Sequence, residues 1–152
     1  MIDAVAQEPD DTPSLASLRE AIDRHFRFDL TVAEIVASLR AESRDEWAVW
    51  AATTADLLDK RSPTMLCVTH EQLKRGRLLK LADCFRMELG IVNHCFVHGD
   101  LLEGIRAVII DKDGKPAWKP ATLEEVESAS VEAFFSPKHV PHPLANLEAQ
   151  YG

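Results

Sequence analysis

Long apolar runs and a surplus of basic residues are both missing from this sequence of 152 residues. No apolar stretch approaches the roughly 18 residues that a transmembrane helix needs. Acidic residues outnumber basic ones by 25 to 17, and the net charge of −8 argues against a nucleic-acid partner. The acidic N-terminus, MIDAVAQEPDD, has neither the features of a secretory signal nor the composition of a transit peptide. We therefore expect a cytoplasmic protein that binds neither membrane nor nucleic acid.

Cysteine is scarce, and the three that occur, Cys67, Cys84 and Cys95, have no tight spacing. An odd number of widely spaced cysteines argues against a disulfide scaffold. Each lies among apolar neighbours, and free cysteine is among the most frequently buried residue types. We predict buried structural thiols rather than catalytic nucleophiles.

Motifs for phosphate binding, nucleophilic catalysis and metal binding are also lacking. The glycines are too scattered for a phosphate loop, and there is no Gly-x-Ser-x-Gly elbow. His94 and His98 are four residues apart, which can place two imidazoles on one helix face, but no Glu follows His94 as an H-E-x-x-H zinc site requires. We therefore assign no catalytic residue, no metal ligand and no cofactor from the residues alone.

The pattern that is present is helical. Four sites combine Ser, Thr or Asp with Glu three residues later, the arrangement of a helix capping box: Thr31/Glu34, Ser43/Glu46, Asp100/Glu103 and Thr122/Glu125. No segment alternates with a period of two over a useful length. The sequence predicts an all-α, irregular domain of about six to eight helices. One short extended strip near 106–111 is also predicted, because a helix from Leu101 ends in Ala-Val-Ile-Ile.

Helix boundaries follow from local signals. Ser62 and Pro63 predict an N-cap and a first helical residue, and Gly76 predicts the end of that helix. The longest helix is predicted over roughly 79–98, with an inward stripe of Leu81, Cys84, Phe85, Glu88, Val92, Cys95 and Phe96. We divide the chain into a flexible N-terminus (1–13), a helical domain (14–136) and a proline-rich tail (137–152).

Two groups of charged residues leave alternatives open. Glu88 interrupts the apolar stripe, so it is either a site carboxylate with a raised pKa or, as we favour, the partner of Arg106 or another nearby base. A basic run of His70, Lys74, Arg75 and Arg77 could meet a phosphate such as those of coenzyme A. The favoured interpretation is a solvated helix end, where cations complement the helix dipole.

Several short motifs within residues 20–136 resemble the C-terminal region of the 3-hydroxyisobutyryl-CoA hydrolases, a branch of the enoyl-CoA hydratase/isomerase (crotonase) superfamily. The most specific are Ser62-Pro63-Thr64, Met87-Glu88, the run EGIRAVIIDKD from Glu103 to Asp113, and Trp118-Lys119-Pro120. Upstream, AIDRHF (residues 21–26) looks like the family's link between core and tail.

The resemblance implies hydrolysis of an acyl-CoA thioester in valine catabolism. It also implies that the catalytic crotonase core, with its oxyanion hole and acidic side chains, lies outside these residues, in cis or as a separate chain. This chain alone would then be inactive, with acyl-CoA as the ligand of the whole enzyme. Lys112 corresponds to a lysine near the nucleotide end of CoA in related hydratases. The alternatives are an autonomous helical interaction module or a complete small enzyme that uses Glu88 or the histidines.

A helical region built to pack on a core should expose a contiguous apolar patch when it stands alone. The faces around Trp47/Trp50 or Phe85/Phe96 are the candidates for that patch. We predict that the chain forms homo-oligomers through one of them.

Overall fold

The computed structural model describes residues 15–136 and 142–147, and within them the chain forms helices and no strand. This confirms the all-α prediction. A 3-10 turn (Ala16–Leu18) leads into the first helix, a π-helical turn (Arg106–Ile110) follows the sixth, and a second 3-10 turn (Leu123–Glu125) precedes the last. The α-helices are α1 Arg19–His25, α2 Val32–Arg40, α3 Asp45–Leu58, α4 Pro63–Gly76, α5 Leu81–His98, α6 Asp100–Ile105 and α7 Ser128–Ala133. The predicted N-terminal segment and most of the predicted tail lie outside the described residues.

Two predicted helix starts form as expected. At α2 the backbone N–H of Glu34 donates to Thr31 Oγ1 over 3.2 Å, while Glu34 Oε2 accepts from the backbone N–H of Thr31 over 2.7 Å. At α4 the backbone N–H of Met65 donates to Ser62 Oγ over 3.1 Å, and Pro63 is the first helical residue. Glu125 also accepts from the backbone N–H of Thr122 at the 3-10 turn, as the fourth motif predicts.

The prediction of the other two capping boxes is wrong, because the groups that would form them make other hydrogen bonds. The N-cap of α3 is Arg44 rather than Ser43, and the backbone N–H groups of both residues donate to Glu42 Oε1. Asp100 is the first residue of α6 rather than its cap, which is Gly99 with φ of 100°. The buried Asp100 carboxylate is turned instead to Ser62 on α4.

The extended strip predicted near 106–111 is also wrong. Residues Arg106–Ile110 form a π-helical turn, closed by a 2.8 Å bond from the backbone N–H of Asp111 to the carbonyl of Arg106. The β-branched residues at the end of this run had indicated extended backbone. The Arg106 side chain also donates to Asp111 and Asp113, five and seven residues further along the chain, and these bonds favour the turn over extended backbone.

The core consists of two small clusters. The first joins α2 to α3 through Ile35, Leu39, Ala51 and Ala55, with Trp50 packed against it. The second joins α4, α5 and the end of α7 through Val68, Ile91 and Phe134, with Met87 and Cys95 at its edge. Burial of these side chains is the main favourable term that holds the helices together.

Part of the stripe of α5 that was predicted to face inward is exposed instead. Ile91 is the buried residue of this 18-residue helix, whereas Leu81 is 71% exposed and Phe96 61% exposed. Cys84 and Cys95 lie on the packed side, while Phe85 and Val92 are exposed. Apolar residues cover more than one face of α5, so their spacing alone could not identify the inner face.

The three cysteines are free and half-buried, so the prediction of full burial is only partly met. Burial raises the pKa of the Cys67 and Cys95 thiols, which favours the unreactive neutral form. None of the helices in the described ranges is long and apolar enough to cross a membrane.

Candidate functional site

The most densely bonded polar group is the Arg106 guanidinium, just after α6. Its Nη2 and Nε atoms donate to the two carboxylate oxygens of Glu103 over 2.8 and 2.9 Å. Its Nη1 atom donates to Asp111 over 2.5 Å and to Asp113 over 2.9 Å. Nη2 also donates to the carbonyl of Lys115. One side chain therefore fastens the 111–115 loop to α6, and we call this arrangement the Arg106 knot.

The electrostatics of the knot favour ionised carboxylates. The bidentate pair with Arg106, helped by the backbone N–H of Ala117, lowers the pKa of Glu103 from 4.5 to about 2. The backbone N–H of Lys115 and the Arg106 guanidinium together lower the pKa of Asp113. In return, the carboxylates raise the pKa of Arg106 above its ordinary value. The predicted pair between Arg106 and Glu88 does not form, because these acids occupy the guanidinium.

Lys112 lies inside the loop that the knot holds. Its backbone adopts the left-handed conformation, with φ of 54°, which is uncommon for a residue other than glycine. The residue is exposed. The acids on either side of it, Asp111 and Asp113, both bind Arg106.

A second polar link joins α4 to α6. Ser62 Oγ donates to Asp100 Oδ2 over 2.5 Å, and both residues are buried. Asp100 Oδ1 accepts from the backbone N–H of Lys119 over 3.2 Å. Trp118 lies beside this link, where its indole N–H donates to the carbonyl of Lys60 and its ring packs against Gly104. A Cβ at Gly104 would approach that ring to 3.3 Å, so the position favours glycine.

A cavity of about 990 Å³ opens beside these links. Apolar side chains of α6 and the π-helical turn form one wall, including Ile105, Val108 and Ile109, and Lys60 and Arg61 lie at its polar side. An apolar lining with a few polar groups is typical of a small-molecule site or of a surface that another domain covers. Ser62 and Asp100 line the cavity themselves, and Gly114, in the loop that the knot holds, also lines it.

The two histidines of α5 pack around an aromatic ring. His94 and His98 lie with their rings 4.3 and 5.3 Å from the ring centre of Phe134. In the described part of the chain, no group of three or more potential ligands is placed to hold a metal ion. The arrangement accounts for both histidines as packing residues of the second cluster.

Glu88 is exposed rather than buried. Its carboxylate accepts a long hydrogen bond, 3.5 Å, from the side-chain amide of Gln72. No ion pair to Glu88 is found within residues 15–136 and 142–147. Neither interpretation made from the sequence, a buried site carboxylate or the partner of Arg106, matches this environment.

The basic run is divided among separate contacts. Arg75 pairs with Glu71 and Glu132 and covers the ring of Phe135 at 4.2 Å. Arg77 lies over the ring of Phe28, at 4.6 Å from its centre. Arg75 and Arg77 turn to different neighbours, so these two guanidinium groups do not converge on one phosphate site.

A buried polar network at the end of α1 was not predicted by any pattern in the sequence. His25 is fully buried, with its Nδ1 atom 2.7 Å from Ser38 Oγ and its Nε2 atom 2.9 Å from Glu42 Oε2. The Arg44 guanidinium and backbone, with a smaller contribution from His25, lower the pKa of Glu42. A serine, a histidine and a glutamate in a row could transfer a proton, but Ser38 and Glu42 serve here to fix α1 against α2.

Comparison with known proteins matches residues 1–135 to the enoyl-CoA hydratase/isomerase family. The match covers most of the chain, including the knot and the Ser62–Asp100 link. The chain belongs to this family. A probable 3-hydroxyisobutyryl-CoA hydrolase of Arabidopsis thaliana is 35% identical over 139 residues, 89% of this chain and 36% of the relative. The mitochondrial 3-hydroxyisobutyryl-CoA hydrolase of Danio rerio is 40% identical over 117 residues, 77% of this chain and 29% of the relative.

A solved structure supports the same relationship. The fold is similar to that of a carnitinyl-CoA dehydratase from Mycobacterium thermoresistibile, with a TM-score of 0.77 and 42% identity over 90% of this chain. The match covers 38% of that protein. This enoyl-CoA hydratase/isomerase family chain thus spans about a third of the length of the curated relatives it matches. The similarity to the hydrolase branch that Ser62-Pro63-Thr64 and EGIRAVIIDKD indicated is confirmed.

Proposed function

We propose that the chain is the C-terminal helical region of a 3-hydroxyisobutyryl-CoA hydrolase-like enzyme. The observation that carries this proposal is the 35–40% identity to two such hydrolases over most of the chain, of which it spans about a third. The enzyme would hydrolyse an acyl-CoA thioester in the cytoplasm, as a step of valine catabolism. Its crotonase core would belong to the same polypeptide or to a separate chain.

In this proposal the core performs the chemistry. Thioester hydrolysis develops negative charge on the carbonyl oxygen, and preorganised N–H donors stabilise that charge. Three acids of the helical region are already bound to basic side chains: Glu103 and Asp113 to Arg106, and Glu42 to His25 and Arg44. We therefore assign the chain a covering and shaping role, with no catalytic residue of its own.

Lys112 is the residue that we propose to contact the nucleotide end of coenzyme A. It is exposed on a loop that the Arg106 knot holds in one conformation. A lysine is a compact cation suited to phosphate oxygens, and a pre-ordered loop reduces the entropy lost on binding. Asp111 and Asp113 do not cancel its charge fully, because each is paired with Arg106.

The proposal is tested by assaying the chain alone and then joined to a core. Alone, it should show no hydrolysis of 3-hydroxyisobutyryl-CoA, and calorimetry with CoA and with the thioester should show weak binding or none. A chimera in which this chain replaces the matching region of the Danio rerio hydrolase should hydrolyse the thioester. Turnover by the chain alone, or a folded chimera without activity, would contradict the proposal.

The second candidate is an autonomous helical interaction module. Among the described residues, 17 large apolar side chains are exposed, twelve of them between Leu78 and Ile110. Where exposed apolar side chains form a contiguous patch, the patch usually marks an interaction site. A stable homodimer that ignores CoA compounds, together with an inactive chimera, would favour this function over the first.

A further inference from the structure

One face of α5 carries an exposed apolar stripe with a single charge in it. Leu81, Phe85, Val92 and Phe96 are between 47% and 71% exposed, and Glu88 lies among them. At 100° per residue these five positions fall within an arc of about 80°. The packed side of α5, around Ile91, points in another direction. We call these five residues the α5 stripe.

The charge in this stripe is not used by the described part of the chain. Glu88 accepts only a 3.5 Å hydrogen bond from Gln72, too long to be strong. A carboxylate surrounded by exposed apolar side chains would lose its water once a partner covered them. Such burial is costly unless the partner supplies a positive charge.

A second copy of the chain is a poor occupant of the α5 stripe. A twofold axis brings the same patch of both subunits together. Glu88 lies at the middle of the stripe, because Leu81 and Phe96 are equally far from it to within one residue. Parallel or antiparallel, such a pair would set the two Glu88 carboxylates beside each other, in chains that each carry a net charge of −8.

We infer that the α5 stripe docks on the crotonase core, and that Glu88 pairs there with a lysine or arginine that fixes the register. This inference rests on the proposed function, in which the remaining two-thirds of the enzyme supplies the core. Leu81, Phe85, Val92 and Phe96 would supply most of the buried apolar area. Glu88 would then be a specificity residue, which disfavours self-pairing and selects a partner with a cation.

The test compares Glu88→Arg and Glu88→Gln in the chain alone and in the chimera with the Danio rerio core. Glu124→Arg is the matched control, since this exposed glutamate lies on the second 3-10 turn and borders a crevice with α2 rather than α5. Readouts are the melting temperature and sedimentation of the chain alone, and the melting temperature and kcat/KM of the chimera.

We expect Glu88→Arg to leave the melting temperature of the chain alone unchanged but to lower kcat/KM of the chimera by about tenfold or more, with a lower melting temperature. The kcat/KM and melting temperature of the Glu88→Gln chimera should lie between those of the Glu88→Arg chimera and the unmodified chimera. The Glu124→Arg chimera should match the unmodified chimera in both. Equal effects of Glu88→Arg and Glu124→Arg in an active chimera would overturn this inference and leave the proposed function standing. An inactive unmodified chimera would overturn both. A homodimer of the chain that Glu88→Arg dissociates would identify a second copy as the occupant and overturn the inference.

Discussion

Helices α2 and α3 bury apolar side chains against each other, whereas α5 and α6 leave many of theirs exposed. Helices α2 and α3 each bury three residues, while the longer α5 buries one. Of the 17 large apolar side chains exposed in the described ranges, twelve lie between Leu78 and Ile110 and five before them. Apolar content alone therefore does not indicate where a core lies. Helices α2 and α3 form a core of their own, while the region from Leu78 to Ile110 exposes much of its apolar surface.

Polar groups differ between the two regions as well. In the first region, Glu42 is 3% exposed at its side chain and is bonded to His25 and Arg44. In the second region, Glu103 is 21% exposed and Arg106 32% exposed, although the pair is bidentate. The Arg106 knot thus stays in contact with water and holds a loop rather than a core. Gly114 in that loop and Pro116 just after it line the cavity, which is consistent with a surface that another domain completes.

The largest effect should come from a cavity in the first region. Leu39→Ala removes a side chain that is 1% exposed in the first cluster, and should lower the free energy of unfolding by about 2–5 kcal/mol. Val92→Ala is the control on α5. It should change the free energy of unfolding of the chain alone by less than about 0.5 kcal/mol, because Val92 is half exposed. Urea denaturation measures both. A comparable loss for the two variants would break the contrast between the regions.

A smaller effect is expected where α4 meets α6. Ser62→Ala removes the N-cap of α4 and leaves the buried Asp100 carboxylate without one of its donors. We expect a loss of about 1–3 kcal/mol in the free energy of unfolding. Ser43→Ala is a fair control, because Ser43 is not the cap of α3. If denaturation shows the two alanine variants to be equally stable, the α4–α6 link does not stabilise the second region.

The smallest effect is a change in acid sensitivity. Because Arg106 lowers the pKa of Glu103 in the folded chain, the ionised carboxylate favours folding at pH values above about 4.5. That contribution should be lost as the pH falls from about 4.5 towards about 2. Thermal unfolding of Glu103→Gln should therefore depend less steeply on pH in this window than that of the unmodified chain. Parallel curves for the two proteins would show that the knot does not stabilise the fold.

Local signals predicted most of the fold. Thr31 with Glu34, Ser62 with Pro63, and Gly76 each mark a helix end that the structure contains. The signals failed where a side chain outside the motif intervened. The Glu42 carboxylate binds the backbone N–H groups of Ser43 and Arg44, and Ser62 binds the Asp100 carboxylate. The Arg106 side chain binds the acids that follow the π-helical turn. A capping motif spans four residues, so it cannot report a competitor elsewhere in the fold.

The candidate site was less accessible from sequence. The motif from Glu103 to Asp113 indicated the family, but its charges did not reveal that one arginine gathers three acids. The side of α5 that faces inward could not be predicted either, because both sides are apolar. The structure removes one of the two predicted oligomer faces: Trp47 is buried and Trp50 packs against the first cluster. The Phe85/Phe96 face remains exposed. Self-association through it, predicted from the sequence, is the alternative to the docking on the core that we infer for the α5 stripe.

Amide hydrogen exchange, measured on the chain alone and on its chimera with the Danio rerio core, shows whether α5 needs a partner to be stable. Exchange reports the local free energy of opening, which should be high in α2 and low in α5 for the chain alone. We predict that joining the core slows exchange along α5 and α6 and leaves α2 and α3 nearly unchanged. Equal protection of α5 in both proteins would contradict the account, since it would mean that this helix needs no partner.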